Sequence, residues 1–178
     1  MGVPQVVIVG RPNVGKSSIF NWLAQKRLSI VDPTSGVTRD RLAFLMHEQE
    51  RYFEIVDTGG IGVKDIDNLT DDIEHQIQTA IDLATLILFV VDTRDGVVPL
   101  DVVVAERLRR VDHPVLLVAN KADDRVHDNQ AADFHQLGFG EPLRVSTLQN
   151  RNRQDLLDEI VRRLPPRNIA DTVPTTPT

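Results

Sequence analysis

The 178-residue sequence contains no cysteine and no long apolar run. Without cysteine the chain can form neither a disulfide nor a thiolate metal site, which is typical of a reducing compartment and favours the cytoplasm. The longest strongly apolar run, residues 86–91, is far shorter than the roughly 20 residues that a membrane-spanning helix needs, so we expect no membrane association. Positive charge is also in deficit. The formal net charge of −6 argues against a domain that holds nucleic acid by bulk electrostatics.

The sequence does contain an alternation of short apolar runs with segments of helical period. The apolar runs lie at 6–9, 42–46, 52–56, 86–91, 115–119 and 143–145. Helical spacing is clearest at 73–84 and 156–164, and further helices are predicted at 16–25, 101–111 and 128–137. The polar turn 47–51 is too short for a crossover helix, so the second and third strands should be antiparallel. The pattern predicts an α/β fold with helices on both faces of a six-stranded, mostly parallel sheet that has one antiparallel edge strand.

The C-terminal segment differs in composition from the rest of the chain. Residues 1–164 are predicted to form the folded domain, which is long enough to bury a proper core. Pro165-Pro166 should end the last helix, because proline cannot continue it. Residues 165–178 are rich in proline and threonine with little to bury, and we interpret them as a flexible tail or the start of an interdomain linker.

A glycine-rich loop follows the first predicted strand and precedes a predicted helix. Residues 10–17 read GRPNVGKS, which fits the phosphate-binding pattern G-x-x-x-x-G-K-[ST]. Backbone N–H groups of such a loop converge on an anion, the Lys16 ammonium reaches the β/γ-phosphates, and the Ser17 hydroxyl can ligate Mg²⁺. The predicted phosphate-binding residues are Gly10, Arg11, Pro12, Asn13, Val14, Gly15, Lys16, Ser17 and Ser18. We therefore expect the chain to bind a nucleoside triphosphate.

Two further segments supply candidates for the magnesium ion and the γ-phosphate. Asp57-Thr58-Gly59-Gly60 follows the third predicted strand, at the strand end where doubly wound sheets bind ligands. Asp57 can hold Mg²⁺, and the backbone N–H of Gly60 can reach a γ-phosphate because no side chain intervenes. Thr38, just before the second strand, is the candidate that ligates Mg²⁺ and senses the γ-phosphate. Thr34 is its rival in the same segment.

Base specificity is indicated by Asn120-Lys121-Ala122-Asp123, which closes the fifth predicted strand. The Asp123 carboxylate can accept from N1–H and the exocyclic amine of guanine, whereas adenine offers no such donor pair. Charge-assisted bonds are worth about 1.5–3 kcal/mol each, so guanine should be strongly preferred. Asn120 would brace the loop and Lys121 would lie over the base. Ser146-Thr147-Leu148 is placed to offer a backbone N–H to the guanine carbonyl oxygen.

These motifs, in this order, are the nucleotide-binding elements of P-loop GTPases. GRPNVGKSS at 10–18, IVDPTSGVTRD at 30–40 and DTGGI at 57–61 resemble the N-terminal G domain of the Der (EngA) family of bacterial ribosome-assembly GTPases. The Era and MnmE domains are the nearest rivals. The resemblance covers about residues 4–164 and implies a three-layer α/β/α P-loop GTPase fold, a GTP-hydrolysing switch with slow turnover, and GTP/GDP and Mg²⁺ as ligands.

The resemblance also implies a larger protein and a partner. Members of the family carry a second G domain and a C-terminal KH-like domain, which are missing from this chain, and act in maturation of the large ribosomal subunit. The resemblance therefore implies a fragment whose partner is the large subunit or its precursor.

The catalytic residues implied by the resemblance are Lys16, Thr38, Gly60 and Asn13. Ile61 occupies the position where Ras-like GTPases place the glutamine that orients the attacking water. Relatives with this substitution use other means, and those with asparagine at the Asn13 position often bind K⁺, which adds charge near the β/γ bridge. We hypothesise that this chain does the same.

Two departures from the family pattern and two alternative functions remain open from the sequence. The family usually reads Ser-Ala-Leu at 146–148 and has a glycine-bearing turn at 149–152, where this chain has Thr147 and no glycine. These changes predict retained guanine recognition with weaker affinity. The alternatives are an interaction module that senses GTP with little hydrolysis, and the G domain of a tRNA-modification enzyme or metal transporter.

Overall fold

A six-stranded sheet organises the protein, for which a computed structural model describes residues 2–25, 42–58 and 69–166. The strands lie side by side in the order β2-β3-β1-β4-β5-β6. Their bounds are Gln5–Val9 for β1, Leu42–Glu48 for β2, Arg51–Asp57 for β3, Leu86–Asp92 for β4, Val115–Asn120 for β5 and Leu143–Arg144 for β6. All neighbouring pairs are parallel except β2 with β3. The predicted mostly parallel sheet with one antiparallel edge strand is confirmed.

Helices cover both faces of the sheet and make a three-layer sandwich. They are α1 (Lys16–Ala24), α2 (Leu69–Leu83), α3 (Pro99–Arg109), α4 (Arg125–Ala131) and α5 (Arg153–Arg163), with a 3₁₀ helix at Ala132–Leu137. One buried apolar cluster joins α1 and α5 to the sheet, through side chains such as Ile19 and Leu157. The other joins α2, α3 and the 3₁₀ helix to the opposite face, through Ile77, Leu108 and Phe134. No helix among the described residues is both long and apolar enough to cross a bilayer.

The turn between β2 and β3 is shorter than the sequence predicts. The expected turn 47–51 is wrong because His47 pairs with Tyr52 across the ladder and the strands continue to Glu48 and Arg51. The rings of His47 and Tyr52 stack with their centroids 4.2 Å apart. Only residues 49–50 turn, with φ values of 51° and 63°, the sign pattern of the two-residue turns that match strand twist.

The helix starts at α3 and α4 also differ from prediction. Helix α3 begins at Pro99 rather than 101, since proline is favoured in a first turn. The helix predicted at 128–137 is instead α4 followed by the 3₁₀ helix. The missed start signal is Asp124, whose side chain accepts a hydrogen bond from the His127 N–H at 3.1 Å and caps α4.

The strand ends that carry polar residues lie at one edge of the sheet. Asp57 at the end of β3 is level with Ile8 of β1, and Asp92 at the end of β4 is level with Asn120 at the end of β5. The carboxyl ends of β1, β3, β4 and β5 therefore lie together at this edge. Parallel α/β sheets bind ligands at the carboxyl ends of their strands, and the candidate site lies there.

Candidate nucleotide-binding site

The loop between β1 and α1 holds Lys16 buried at its centre. Lys16 is 6% exposed, and its Nζ donates to the carbonyl oxygens of Gly10 at 2.8 Å and Arg11 at 3.0 Å. Burial lowers the pKa of Lys16, while the charges of Asp57 and Asp72 oppose that effect. The ammonium is thus already enclosed by the loop whose backbone is predicted to bind phosphate.

A buried glutamine of α2 fixes the first residue of this loop. The Gly10 N–H donates to Gln76 Oε1 at 3.0 Å, and Gln76 Nε2 donates to Asp72 Oδ2 at 2.9 Å. Gln76 is 1% exposed. Sequence reasoning missed it, although a polar residue beside the apolar stripe of Ile73 and Ile77 was a usable signal. The loop is therefore held from α2 as well as from β1.

The side chain of Arg11 is directed away from Lys16 and towards α3. Its Nη2 lies 2.8 Å from Asp95 Oδ2, and its Nε lies 3.3 Å from Asp101 Oδ1. Asp101 is fully buried, and burial raises the pKa of its carboxyl. Arg11 can therefore offer only its backbone to a phosphate in this arrangement, while its guanidinium ties the loop to the start of α3.

Ser17 and Asp57, both predicted as magnesium ligands, are in direct contact. Ser17 Oγ donates to Asp57 Oδ2 at 3.0 Å, and Asp57 is 1% exposed. Next to it, Thr58 Oγ1 donates to the Ile8 carbonyl oxygen at 3.3 Å. A hydroxyl and a carboxylate that converge in this way are oxygen donors of the kind that Mg²⁺ prefers, so the residues present fit that ion.

Thr38, Gly59 and Gly60, which complete the predicted phosphate and metal site, lie outside the described residues, as does Ile61. Within the ranges that are described, no group of three or more histidine or acidic side chains is arranged to hold a metal ion by itself. A magnesium ion at Ser17 and Asp57 would thus depend on further oxygen ligands, as in sites where phosphates complete the coordination.

A cavity of about 310 Å³ opens beside the phosphate loop. Its lining includes Gly15 and Ser18 from that loop, Asp123 from the segment after β5, and Ser146, Thr147 and Leu148 from the segment after β6. Two of the predicted phosphate-binding residues, Gly15 and Ser18, therefore border the same space as the predicted base-reading residues.

Asn120 joins the segments that surround this cavity. Its Nδ2 donates to the Val14 carbonyl oxygen at 3.0 Å, and its Oδ1 accepts from the Thr147 N–H at 3.4 Å. Lys121, with φ of 64°, donates from Nζ to the Asn13 carbonyl oxygen at 2.9 Å and to Asp92 Oδ2 at 2.8 Å. The segment after β5 is thus bonded to the phosphate loop at two adjacent residues.

Both carboxylate oxygens of Asp123 have partners in the structure. Oδ1 accepts from Ser146 Oγ at 2.6 Å, and Oδ2 accepts from Arg94 Nη2. Burial acts to raise the pKa of Asp123, but the bonds from Ser146 and Arg94 outweigh it and hold that pKa below its ordinary value. Sequence reasoning missed Arg94, although its place just after the end of β4, at the ligand-binding edge of the sheet, could have drawn attention to it.

The loop after β6 reaches its turn without glycine. Asn150 and Asn152 have φ values of 52° and 65°, in the left-handed region that asparagine tolerates better than most residues. Ser146 and Arg151 close the loop with backbone bonds in both directions. Asparagine therefore occupies the two left-handed positions of this turn, and the weaker affinity expected from Thr147 and the missing glycines stays a prediction.

Comparisons with known proteins identify a matching family and similar relatives. The 50S ribosome-binding GTPase family matches residues 5–121. The chain is similar to GTPase Der of Rhodopirellula baltica, with 56% identity over 94% of this chain and 37% of that protein. It is also similar to GTPase Der of Clostridium kluyveri, with 45% identity over 90% of this chain and 37% of that protein.

Solved structures of Era share the fold. Aquifex aeolicus Era bound to GDP·AlF₄⁻ matches with a TM-score of 0.71 and 28% identity, over 94% of this chain and 59% of that one. Era in complex with MgGDPNP and a 16S ribosomal RNA segment matches with a TM-score of 0.72 and 27% identity, over 99% of this chain and 63% of that one.

The fold and the site together define a P-loop GTPase domain, the class that binds and hydrolyses GTP. The chain belongs to the family of 50S ribosome-binding GTPases, and the resemblance to the Der family is confirmed by the similarity to its curated members. The chain spans a little over a third, 37%, of the length of those relatives.

Proposed function

We propose that this domain binds GTP and GDP with Mg²⁺, hydrolyses GTP slowly, and acts as a nucleotide-dependent switch in assembly of the large ribosomal subunit. The observation that carries the proposal is the shared cavity, in which the phosphate loop and Asp123 border one space and Asn120 bonds the two segments together. A nucleotide is a ligand with phosphates at one end and a base at the other, and it matches that arrangement.

The phosphates are bound by the backbone of residues 10–18 and by Lys16. In the structure the ammonium donates to the carbonyl oxygens of Gly10 and Arg11, and it would redirect those bonds to the β- and γ-phosphates. Because Lys16 is buried, its charge is weakly screened and should bind a phosphate strongly.

The base is read by Asp123 and enclosed by its neighbours. Each carboxylate oxygen of Asp123 accepts from one guanine donor, and the aliphatic stem of Lys121 covers the ring. The segment 146–148 would supply a backbone N–H for the guanine carbonyl oxygen. In the structure the Ser146 N–H donates to the Arg151 carbonyl oxygen and the Thr147 N–H donates to Asn120 Oδ1, so those two groups would first have to give up these bonds. Ser146 is fully buried and its bond to Asp123 orients the carboxylate.

Mg²⁺ would be held by Ser17, Asp57 and Thr38. When bound, the ion neutralises charge on the β- and γ-phosphates. The bond from Ser17 Oγ to Asp57 Oδ2 keeps the two protein ligands beside the phosphate loop. The N–H of Gly60 and the side chain of Thr38 would contact the γ-phosphate, so that these two residues distinguish GTP from GDP.

Hydrolysis would be assisted by K⁺ at Asn13 in place of the missing glutamine. The Asn13 side chain is exposed on the phosphate loop, where φ of 74° sets the backbone in the left-handed region. Phosphate release from GTP should therefore be faster in KCl than in NaCl at equal ionic strength. Asn13→Ala should remove that difference. Equal rates in the two salts would contradict the role of K⁺ only.

The enzymatic part of the proposal is tested by comparing binding with turnover. The domain should bind a non-hydrolysable GTP analogue and release phosphate from GTP, both dependent on Mg²⁺. Binding without measurable turnover would instead favour the GTP-sensing module. Lys16→Ala should lose both nucleotide binding and turnover. The phosphate loop has two cationic side chains, and the other one, Arg11, is paired with Asp95 and Asp101.

The cellular role rests on the Der relatives. Their similarity favours a ribosome-assembly factor over a tRNA-modification or metal-transport G domain. In the whole protein a second G domain and a KH-like domain would follow, with residues 165–178 as the start of the linker and the cytoplasm as the location. Co-sedimentation of the full-length protein with large ribosomal subunits should then depend on the nucleotide, with the GTP analogue and GDP giving different bound fractions.

A further inference from the structure

We propose that Arg94 is an intramolecular competitor of guanine, which occupies the base-reading oxygen of Asp123 and lowers the affinity of the domain for guanine nucleotides. The inference rests on the proposed base-reading role of Asp123. It adds a residue that sets how tightly the nucleotide is held, from the loop between β4 and α3.

The position of Arg94 beside the cavity is fixed by its backbone. The Arg94 N–H donates to Asp92 Oδ1 at 2.8 Å, and the preceding Thr93 N–H donates to the Asn120 carbonyl oxygen at 2.9 Å. Asp92 in turn accepts from Lys121. The turn that carries Arg94 is thus bonded to the same segment that carries Asp123, so the two side chains remain neighbours.

The guanidinium itself is free to leave. The Arg94 side chain is 54% exposed, whereas that of Asp123 is 9% exposed. A half-exposed ion pair is weak, because water solvates the arginine when the pair opens. Arg94 can therefore leave Asp123 as a base enters and return as the base departs.

The number of hydrogen-bond donors on the base makes the competition by Arg94 specific for guanine. In the structure Ser146 bonds one oxygen of Asp123 and Arg94 bonds the other. Arg94 also lines the cavity, so its guanidinium borders the space that the base enters. Guanine presents two donors, N1–H and the exocyclic amine, and needs both oxygens. Hypoxanthine presents N1–H without the amine, so it can bond the oxygen shared with Ser146 while Arg94 keeps the other.

Removing Arg94 should therefore favour GDP over IDP. Arg94→Ala should tighten GDP binding by about twofold to fivefold, the range expected when a half-exposed ion pair no longer has to open. IDP binding should tighten by less. The association rate of GDP should rise by a similar factor, because the ion pair no longer has to open before the base bonds the carboxylate.

The experiment measures Kd and association rate for GDP and IDP in the parent chain, Arg94→Ala and Arg125→Ala. Arg125 is exposed at the start of α4, two residues along the chain from Asp123. Its removal deletes one positive charge of the same kind while leaving both described bonds to the Asp123 carboxylate intact. Thermal unfolding checks that each variant is folded. Tighter GDP binding in Arg94→Ala alone, with a smaller change for IDP, supports the proposal. Unchanged or weaker GDP binding overturns it, as does equal tightening for the two nucleotides.

Asp123→Asn separates failure of this inference from failure of the base site. If that variant loses its preference for GDP over XDP but Arg94→Ala binds GDP no more tightly, only the competition by Arg94 is wrong. If Asp123→Asn keeps the parent's preference, the base is read elsewhere, and both the inference and the proposed site fail.

Discussion

Replacing Gly15 with alanine should disrupt the contact between the phosphate loop and the base-reading segment. Gly15 has φ of 99°, and a Cβ built there would lie 2.4 Å from Asn120 Nδ2. That amide nitrogen donates to the buried Val14 carbonyl oxygen. The added methyl group therefore cannot be accommodated unless Asn120 or the loop moves, and either movement breaks the bond that joins the two segments.

The expected loss of stability has two parts. A non-glycine residue in the left-handed region costs about 1–2 kcal/mol. Loss of the Asn120–Val14 bond leaves buried polar groups unpaired and costs about 1–3 kcal/mol more. Gly15→Ala should therefore lower the free energy of unfolding by about 2–5 kcal/mol in total. Gly96 provides the matched control, since it has φ of 70° and no atom within 4 Å of its built Cβ. Gly96→Ala should therefore lower the free energy of unfolding only by the cost of placing alanine in the left-handed region.

Urea unfolding of the nucleotide-free domain measures both variants on one scale, and GDP titration measures the effect on the site. We expect Gly15→Ala to be less stable than Gly96→Ala by about 1–3 kcal/mol, the contribution of the Asn120 contact. It should also bind GDP more weakly, while Gly96→Ala binds like the parent. Equal losses of unfolding free energy in the two variants would refute the reasoning, because strain alone would then account for the effect.

Three further predictions concern the rest of the structure. The pKa of Glu159 is lowered from 4.5 to about 2 by its hydrogen bonds with Arg162 and Arg163. The ionised carboxylate therefore contributes fully to the free energy of unfolding above pH 4.5, and that contribution is lost as the pH falls towards 2. The stability difference between the parent and Glu159→Gln should shrink over that range, and a difference independent of pH would contradict it. Gln76→Leu should destabilise the domain by about 1–3 kcal/mol by leaving the Gly10 N–H unpaired; a neutral result in thermal unfolding would count against that bond. Asn152→Gly should be better tolerated than Asn152→Ala, because φ is 65°, and the reverse order of unfolding midpoints would disprove the strain.

The fold and the principal motif residues could be predicted because they depend on local patterns. Apolar runs separated by helical stripes specify a parallel sheet, and the phosphate loop is recognisable from residues that act mainly through their backbone. Asn120 and Asp123 could be identified from the sequence for a related reason, since polar residues directly after a buried strand lie at the ligand-binding edge. These inferences need the order of elements along the chain but not the contacts between side chains.

The residues that sequence reasoning missed depend on contacts between distant elements. Arg94 becomes relevant only because β4 and β5 are neighbours, which brings its turn beside Asp123. Gln76 bonds Gly10 across the interface of α2 with β1, and its role could not be read from helical periodicity alone. The Asp124 cap of α4 is different, because aspartate at a helix start is a local signal that the sequence itself carries. In the loop after β6, Asn150 takes a left-handed conformation. Counting glycines in that loop does not predict this, because asparagine can adopt the same conformation.

The central claim is that Asp123 reads guanine in the cavity beside the phosphate loop, and Asp123→Asn tests it most directly. The substitution replaces a carboxylate acceptor with an amide that also donates, which suits the carbonyl group at C2 of xanthine in place of the amine of guanine. Kd for GDP and XDP should be measured in the parent and the variant. GDP affinity should fall by at least about tenfold, the equivalent of one lost charge-assisted bond, while XDP affinity rises. An unchanged preference for GDP would contradict the account.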